Sequence, residues 1–206
     1  MACLMNNPAW RQSVMAYIRA EAQPKDKFGH QPRLYALACQ IGKGVNFDDD
    51  VLFAAAWMHD LGVYIGHRPV SQVELERWNH VPYTIARTRE LLAACGFPTS
   101  KLDGVCEAIR THQPFDDPRT TEATILRDAD ILEQLGAIGA LRALAKVGRD
   151  TRYPTFSSVL PVLQRAAEEL PGKIRLQTAK DLAVPRVEAL RTLIAAITSE
   201  AGDLLY

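Results

Sequence analysis

Two ionisable residues, His59 and Asp60, stand side by side at the end of a wholly apolar run that covers residues 53–58. Such a run is typical of a buried helix, because it has no polar face. An ionisable pair at the end of a buried segment costs several kcal/mol if it is left without partners. The pair is therefore expected to be hydrogen-bonded, ion-paired or bound to a metal ion.

Other residues with the chemistry of metal ligands are spread along the chain. Four of the five histidines lie at or beside predicted helix ends, and two aspartates accompany them: His30, His59, His80 and His112, with Asp60 and Asp130. Imidazoles and carboxylates without thiolates suit Mn, Fe, Co, Ni or Zn in a catalytic site, and Mg is also compatible with them. The spacing leaves open whether these side chains meet, because capping, paired and surface residues would give the same pattern.

The elements that must position these residues are predicted to be helices throughout. Apolar residues recur every three or four positions, and strand signals are nearly absent. One helix ends at His59, and a long helix from about residue 120 contains Asp130 and is predicted to continue through Gly136 and Gly139, whose spacing indicates close helix packing. The last helix is predicted at about residues 178–200. The predicted fold class is all-α, in the form of a helical bundle.

The size of the chain fits one domain. It has 206 residues, of which 48% are hydrophobic and 23% are charged, and this is enough to enclose a core. We expect a single domain over residues 1–206, with its core at about 26–148 and a C-terminal helical extension at about 156–202. The C-terminal amphipathic helices are long enough to pair between two chains, so a homodimer is an open prediction.

Composition argues against several classes of protein. Lys+Arg and Asp+Glu both number 24, and basic residues do not alternate with aromatic ones, so long nucleic acids are not expected as partners. No apolar run approaches the ~20 residues that span a bilayer, and no secretion signal is recognised at the N-terminus. A soluble cytoplasmic protein is expected. The four cysteines lack CxxC spacing and are predicted to be reduced core residues: Cys3, Cys39, Cys95 and Cys106.

The order of the candidate ligands, His30, then His59-Asp60, then Asp130, resembles the H…HD…D signature of the HD superfamily of metal-dependent phosphohydrolases. Residues 57–62, Trp-Met-His-Asp-Leu-Gly, resemble the central motif of that family. Residues 105–112 and 121–139 resemble one bacterial branch of small stand-alone HD hydrolases. The likeness spans about residues 26 to 200.

The resemblance implies specific ligands. His30, His59, Asp60 and Asp130 match the ligands of a first metal ion, and His80 and His112 match two histidines that hold a second ion in some members, so one or two divalent ions are expected. Helical projection places Asp128 nearer the apolar stripe of its helix than Asp130. The family pattern nevertheless favours Asp130, because it follows an alanine and precedes a branched residue and a leucine.

The resemblance also implies a reaction, which is hydrolysis of a small phosphorylated compound such as a nucleotide. Asp60 is counted among the catalytic residues because, as a predicted ligand, it would help to hold the metal ion that activates the attacking water. Some members carry a glutamate three residues after the aspartate of the dyad, where this chain has Val63. The proton donor to the leaving group must therefore be another residue, for which His67 and Arg68 are the candidates, or water. Arg33 and Arg68 are the predicted contacts to phosphate oxygens.

Two other functions stay open at the level of sequence. A few HD-fold proteins use six ligands to hold two irons and activate dioxygen. Because His80 and His112 would complete such a set, a di-iron oxygenase is the second hypothesis. A non-catalytic, metal-containing ligand-binding module is the third reading.

Overall fold

The computed structural model describes residues 8–149 and 153–205. Within these ranges the chain forms ten α-helices and no strand, which confirms the all-α prediction: α1 Ala9–Glu21, α2 His30–Ile41, α3 Asp49–Met58, α4 Gln72–Glu76, α5 His80–Ala94, α6 Leu102–Arg110, α7 Thr121–Gln134, α8 Gly136–Leu144, α9 Phe156–Glu169 and α10 Gln177–Ala201. Short 3-10 turns occur between them, including Leu61–Val63, which directly follows the dyad. No helix of the described ranges combines the length and the apolar character needed to cross a membrane.

The chain divides into two compact units, Met1–Arg127 and Asp128–Tyr206. The single domain with a C-terminal extension therefore stays a prediction, as does a homodimer.

Helix α3 is the buried centre of the first unit. Every residue from Val51 to Met58 is buried, and α1, α2 and α6 pack around the helix. Phe53 joins an aromatic cluster, with ring centroids 5.5 Å from Trp10 and 5.0 Å from Tyr35. Because three helices pack against α3, the position of its C-terminal end, which carries the dyad, is fixed.

Charged residues fix the other end of α3. Asp48 caps the helix by accepting from the backbone N–H of Asp50 and Val51. Arg11 pairs with Asp50 at 2.6 Å, and Lys101 pairs with Asp50 at 2.8 Å. Burial opposes the charge of Arg11, but its bonds to the neighbouring carboxylates outweigh burial and raise its pKa. The network ties α1 and the turn before α6 to the start of α3.

In the second unit, α10 packs against α8 and α9. The fully buried carboxylate of Asp128 accepts from the backbone N–H of Arg175 at 3.0 Å and of Leu176 at 2.8 Å, immediately before α10 begins. The carboxylate thereby satisfies two backbone N–H groups of the segment that leads into α10. The predicted last helix is confirmed to within one residue at each end.

The prediction that one long helix continues through Gly136 and Gly139 is wrong. Helix α7 ends at Gln134, and α8 begins at Gly136, which has φ of 74°. A positive φ breaks a right-handed helix, and glycine tolerates it because it has no Cβ. A Cβ at Gly139 would collide with the carbonyl of Gln134, the last residue of α7, so the backbone is tightly packed at this break.

Three of the cysteines lie in the described ranges, and none of them forms a disulfide bond with another described residue. Cys106 is buried as predicted, whereas Cys39 and Cys95 are only half-buried. The prediction for Cys3 falls outside the described residues.

Candidate metal centre

His59 is placed by the end of helix α3. Its backbone N–H still bonds to the Ala55 carbonyl, and its ring Nδ1 lies 3.0 Å from the Ala56 carbonyl. A carbonyl can only accept, so Nδ1 carries the proton and Nε2 is the atom offered as a ligand.

His112 uses the same arrangement at the end of α6. Its Nδ1 lies 2.7 Å from the Ile109 carbonyl, three residues earlier in the chain. The buried Arg127 donates to the carbonyls of Gln113 and Pro114, directly after the histidine. The imidazole is thereby held with Nε2 facing away from its own helix end.

The first group of candidate ligands consists of His30, His59 and Asp60. His30 is the first residue of α2, and its Nε2 lies 3.2 Å from His59 Nε2 and 3.7 Å from Asp60 Oδ2. The distance from His59 Nε2 to Asp60 Oδ2 is 3.5 Å. These ligand atoms all lie within 4.8 Å of one another, which allows a single ion to be shared among them.

A second group consists of Asp60, His80 and His112, and its ligand atoms also lie within 4.8 Å of one another. His80 is the first residue of α5, and its Nε2 lies 3.7 Å from Asp60 Oδ1. The two groups share Asp60, which turns Oδ2 toward His30 and His59 and Oδ1 toward His80. Asp60 therefore belongs to both groups, each of which could hold a metal ion.

The electrostatics of Asp60 agree with that geometry. Burial works against its charge, but the surrounding imidazoles, His59 foremost, outweigh burial and hold the pKa of the carboxyl well below its usual range. Its side chain keeps 21% of its surface exposed, so the centre is not sealed. The carboxylate is thus ionised and ready to act as a ligand at neutral pH.

Several residues that hold the centre in place were missed by the sequence analysis. Gly62 bonds to Trp78 and Thr84, and Tyr64 bonds to Gln31 beside His30. Gly62 was noted only as part of the motif at residues 57–62, and the other four partners lie at unremarkable spacings.

The predicted ligand Asp130 belongs to the second unit. It lies on α7, is mostly buried, and its Oδ2 accepts from Gln134 Nε2 at 3.1 Å. Its role as a ligand stays a prediction. Asp128, the alternative on the same helix, is committed to the backbone N–H groups of Arg175 and Leu176.

The predicted proton donor His67 is held at both ring nitrogens. Nδ1 lies 2.8 Å from Tyr83 Oη, and Nε2 lies 2.8 Å from Glu21 Oε2. His67 belongs to neither group of candidate ligands. Arg68 is half-exposed, and Arg33, which lies one helical turn after His30, is exposed. The catalytic and phosphate-binding roles of these residues stay predictions.

The fold and the site together define an all-helical protein with a histidine and aspartate centre suited to divalent metals. The chain belongs to the HD domain family, whose model matches residues 28–135, just over half of the sequence. No curated protein matches the chain at a significant level.

Solved structures of similar fold cover nearly the whole chain. YpgQ from Bacillus subtilis is 21% identical, with a TM-score of 0.70 over 95% of this chain and 97% of that one. A second structure of YpgQ, in complex with ADP, is 20% identical, with a TM-score of 0.68 over 94% and 99%. An HD-superfamily hydrolase from Bacillus thuringiensis is 17% identical, with a TM-score of 0.66 over 93% and 95%. At these identities the similarity shows the fold.

Proposed function

We propose that this protein is a metal-dependent hydrolase that cleaves a phosphoester or phosphoanhydride bond of a small molecule of the nucleotide class. The observation that carries the proposal is the shared carboxylate of Asp60, with one oxygen toward His30 and His59 and the other toward His80. Together with membership of the HD domain family, this geometry supports a centre for two divalent ions.

The donor set fits such ions. Imidazole nitrogens and carboxylate oxygens without thiolates are ligands for Mn, Fe, Co, Ni and Zn. Divalent ions held there supply an activated water at neutral pH and polarise a phosphoryl oxygen.

The side chains of the protein orient the ligand atoms and set the net charge of the centre. His59 and His112 are locked by their own helix ends, so their Nε2 atoms need little reorganisation to bind. Asp60 and the predicted ligand Asp130 carry too little negative charge to neutralise two divalent ions, so the centre attracts a phosphate. Arg33 and Arg68 are the proposed contacts to phosphate oxygens. His67 or water is the proposed proton donor, because an arginine side chain keeps its proton in proteins.

The choice of a nucleotide is supported by one similar structure. YpgQ, which shares the fold, was solved in complex with ADP. A nucleotide is therefore the first substrate class to test here, without preference for a base.

A second candidate function is a di-iron oxygenase. The observation that favours it is the pairing of His80 and His112 with Asp60, because it completes two ligand groups and not one. An oxygenase would consume dioxygen with an organic substrate and release no phosphate.

The test is a panel assay on protein freed of metal by chelation and reloaded with Mn, Fe, Co, Ni, Zn or Mg. We expect release of phosphate or pyrophosphate from at least one nucleotide, with little activity in the metal-free protein. Oxygen uptake is recorded in parallel on the iron-loaded protein. Oxygen uptake without phosphate release would replace the hydrolase by the oxygenase, and neither activity across the panel would reject both.

A further inference from the structure

A four-residue segment directly after the dyad connects the two groups of candidate ligands. We name residues 61–64 the alignment segment; it consists of the turn Leu61–Val63 and Tyr64. Leu61, Gly62 and Tyr64 are buried. Since the segment follows Asp60 without a break, its position is fixed relative to the carboxylate that both groups share.

One side of the alignment segment holds helix α5, which carries His80. The Gly62 N–H donates to Thr84 Oγ1 at 3.0 Å, and the Gly62 carbonyl accepts from Trp78 Nε1 at 2.8 Å. A Cβ at residue 62 would lie 2.9 Å from the His80 carbonyl oxygen, so backbone and helix are in direct contact there. Thr84 lies four residues after His80, on the same face of the helix. The bond to Thr84 therefore fixes the face that presents His80.

The other side of the segment holds the entrance of helix α2, which carries His30. The Tyr64 hydroxyl hydrogen-bonds with the side chain of Gln31, and both residues are almost fully buried. Lys27 Nζ donates to the Val63 carbonyl at 2.8 Å, three residues before His30. These bonds fix the chain on either side of the first histidine.

We infer that the alignment segment positions the two ligand groups separately, through Thr84 for the group of His80 and through Tyr64 for the group of His30. Thr84 and Tyr64 act as positioning residues and touch no ion themselves. The inference rests on the proposed two-ion centre. It adds that each ion can be weakened on its own by a change that leaves every ligand in place.

The first test uses a matched pair of threonines on α5. Thr84 and Thr88 are both fully buried, but Thr84 accepts from Gly62, whereas the hydroxyl of Thr88 has no hydrogen-bond partner in the described part of the chain. Valine has nearly the same shape, so Thr84→Val removes the acceptor and Thr88→Val removes a comparable hydroxyl without that contact. Thr84→Ser keeps the acceptor and serves as the conservative variant.

Binding of Mn²⁺ to the metal-free proteins is measured from the spin-resonance signal of the free ion. We expect two ions in the wild type, in Thr88→Val and in Thr84→Ser. In Thr84→Val the second ion should bind about 10–100-fold more weakly. This is the loss of metal affinity that typically follows when a residue supporting a metal ligand is replaced. The first ion should change by less than about threefold.

The second test asks which ion each residue serves. His80→Ala removes the second group and leaves the group of His30, so it provides a one-ion background. Added to His80→Ala, Tyr64→Phe should weaken the remaining ion by about 10–100-fold, and Thr84→Val should leave it unchanged. Circular dichroism confirms that each variant is folded.

The outcomes separate the inference from the proposed function. If Thr84→Val binds Mn²⁺ as Thr88→Val does, or weakens both ions equally, the inference is overturned while the two-ion hydrolase stands. A wild-type protein that binds no Mn²⁺ would overturn both. Loss of the second ion alone in Thr84→Val, with rescue in Thr84→Ser, supports separate positioning.

Discussion

At the scale of single residues, Asp60 determines how the proposed ions depend on each other. Its two oxygens face different histidines, at 3.5 Å from His59 and 3.7 Å from His80. Removing His80 takes a ligand from one group, whereas changing Asp60 takes a charged ligand from both. The two substitutions should therefore differ in the number of ions lost and not only in severity.

The first prediction follows from that difference. His80→Ala should lower the bound Mn²⁺ from two ions to one, and Asp60→Asn should remove most of both. Replacing a residue that only supports a metal ligand typically costs about 10–100-fold in metal affinity or activity. Asp60 is itself a proposed ligand, so nucleotide hydrolysis should fall by more than about 100-fold in Asp60→Asn. Elemental analysis with phosphate release measures both effects. Asp103→Asn, which changes an exposed aspartate on α6, is the control; equal losses in His80→Ala and Asp60→Asn would contradict the shared carboxylate.

The second prediction concerns Gly62. Alanine at this position would place a Cβ 2.9 Å from both the His80 carbonyl oxygen and Thr84 Oγ1. Overpacking of this kind typically costs about 1–3 kcal/mol of unfolding free energy, and it should also displace His80. Urea denaturation and Mn²⁺ binding measure the two effects.

Gly172→Ala is the matched control, because a Cβ at residue 172 would meet nothing within 4 Å and the backbone there needs no positive φ. Its unfolding free energy should stay near that of the wild type. If the two alanine variants are equally stable, the close approach of Gly62 to α5 is of no energetic consequence.

What the sequence could reveal at this scale was a set of candidate ligands. His30, His59, Asp60, His80 and His112 were all singled out from residue type and position, and the structure brings them together in two groups. Thr84 and Gln31 carried no such signal. Their proposed role depends on which buried hydrogen-bond partner they meet, and that is known only when helices distant in sequence are packed.

At the scale of secondary structure, the charged network at the start of α3 is open to a pH test. Burial raises the pKa of Asp50, but its bonds to Lys101 and Arg11 outweigh burial and lower the pKa below the ordinary value. A carboxylate with a lowered pKa stabilises the fold above its ordinary pKa of about 3.9, and this contribution is lost as the pH falls through the lower folded value.

The third prediction is that Asp50→Asn lowers the unfolding free energy at pH 7 by about 1–2 kcal/mol. The deficit relative to wild type should shrink as the pH falls below about 4, since the wild-type carboxylate is then protonated as well. Urea denaturation at a series of pH values measures it. Asp103→Asn breaks only an exposed pair with Arg89, which is typically worth about 0–1 kcal/mol. A deficit for Asp50→Asn that stays constant down to pH 2 would contradict the assignment.

Helix boundaries show where sequence patterns were ambiguous. The end of α3 was predicted because the sequence changes there from an apolar run to an ionisable pair. The break between α7 and α8 was missed, because Gly136 and Gly139 have the spacing of a close helix contact. That spacing is compatible both with a continuous helix and with a positive-φ stop, and only the backbone of Gly136 decides between them.

At the scale of the whole molecule, the apolar character of residues 51–58 predicted which helix lies at the centre of the first unit. The arrangement into two compact units had no comparable signal, because the boundary between Arg127 and Asp128 falls inside the continuous helix α7. Proline- or glycine-rich linkers are the usual mark of such a boundary, and none occurs there.

Asp128 and Asp130 can be compared through the stability of the protein with and without a metal ion. An ion that binds only the folded protein stabilises it by RT ln(1 + [L]/Kd), about 2.7 kcal/mol at 100 times Kd. For a chain of this size, each kcal/mol shifts Tm by about 2–4 °C. Adding Mn²⁺ to the metal-free wild type should therefore raise Tm by several degrees.

The fourth prediction is that Asp130 contributes to the stability added by Mn²⁺, whereas Asp128 contributes to the stability of the protein with or without Mn²⁺. Asp130→Asn should leave the Tm of the metal-free protein nearly unchanged but reduce the rise caused by Mn²⁺, because a predicted ligand is lost. Asp128→Asn should lower Tm equally with and without Mn²⁺, because it weakens the acceptor for the buried N–H groups of Arg175 and Leu176. Scanning calorimetry of both variants, with and without Mn²⁺, measures this. A full Mn²⁺-induced rise in Asp130→Asn would remove Asp130 from the ligand set, and the metal centre would then consist of residues of the first unit alone.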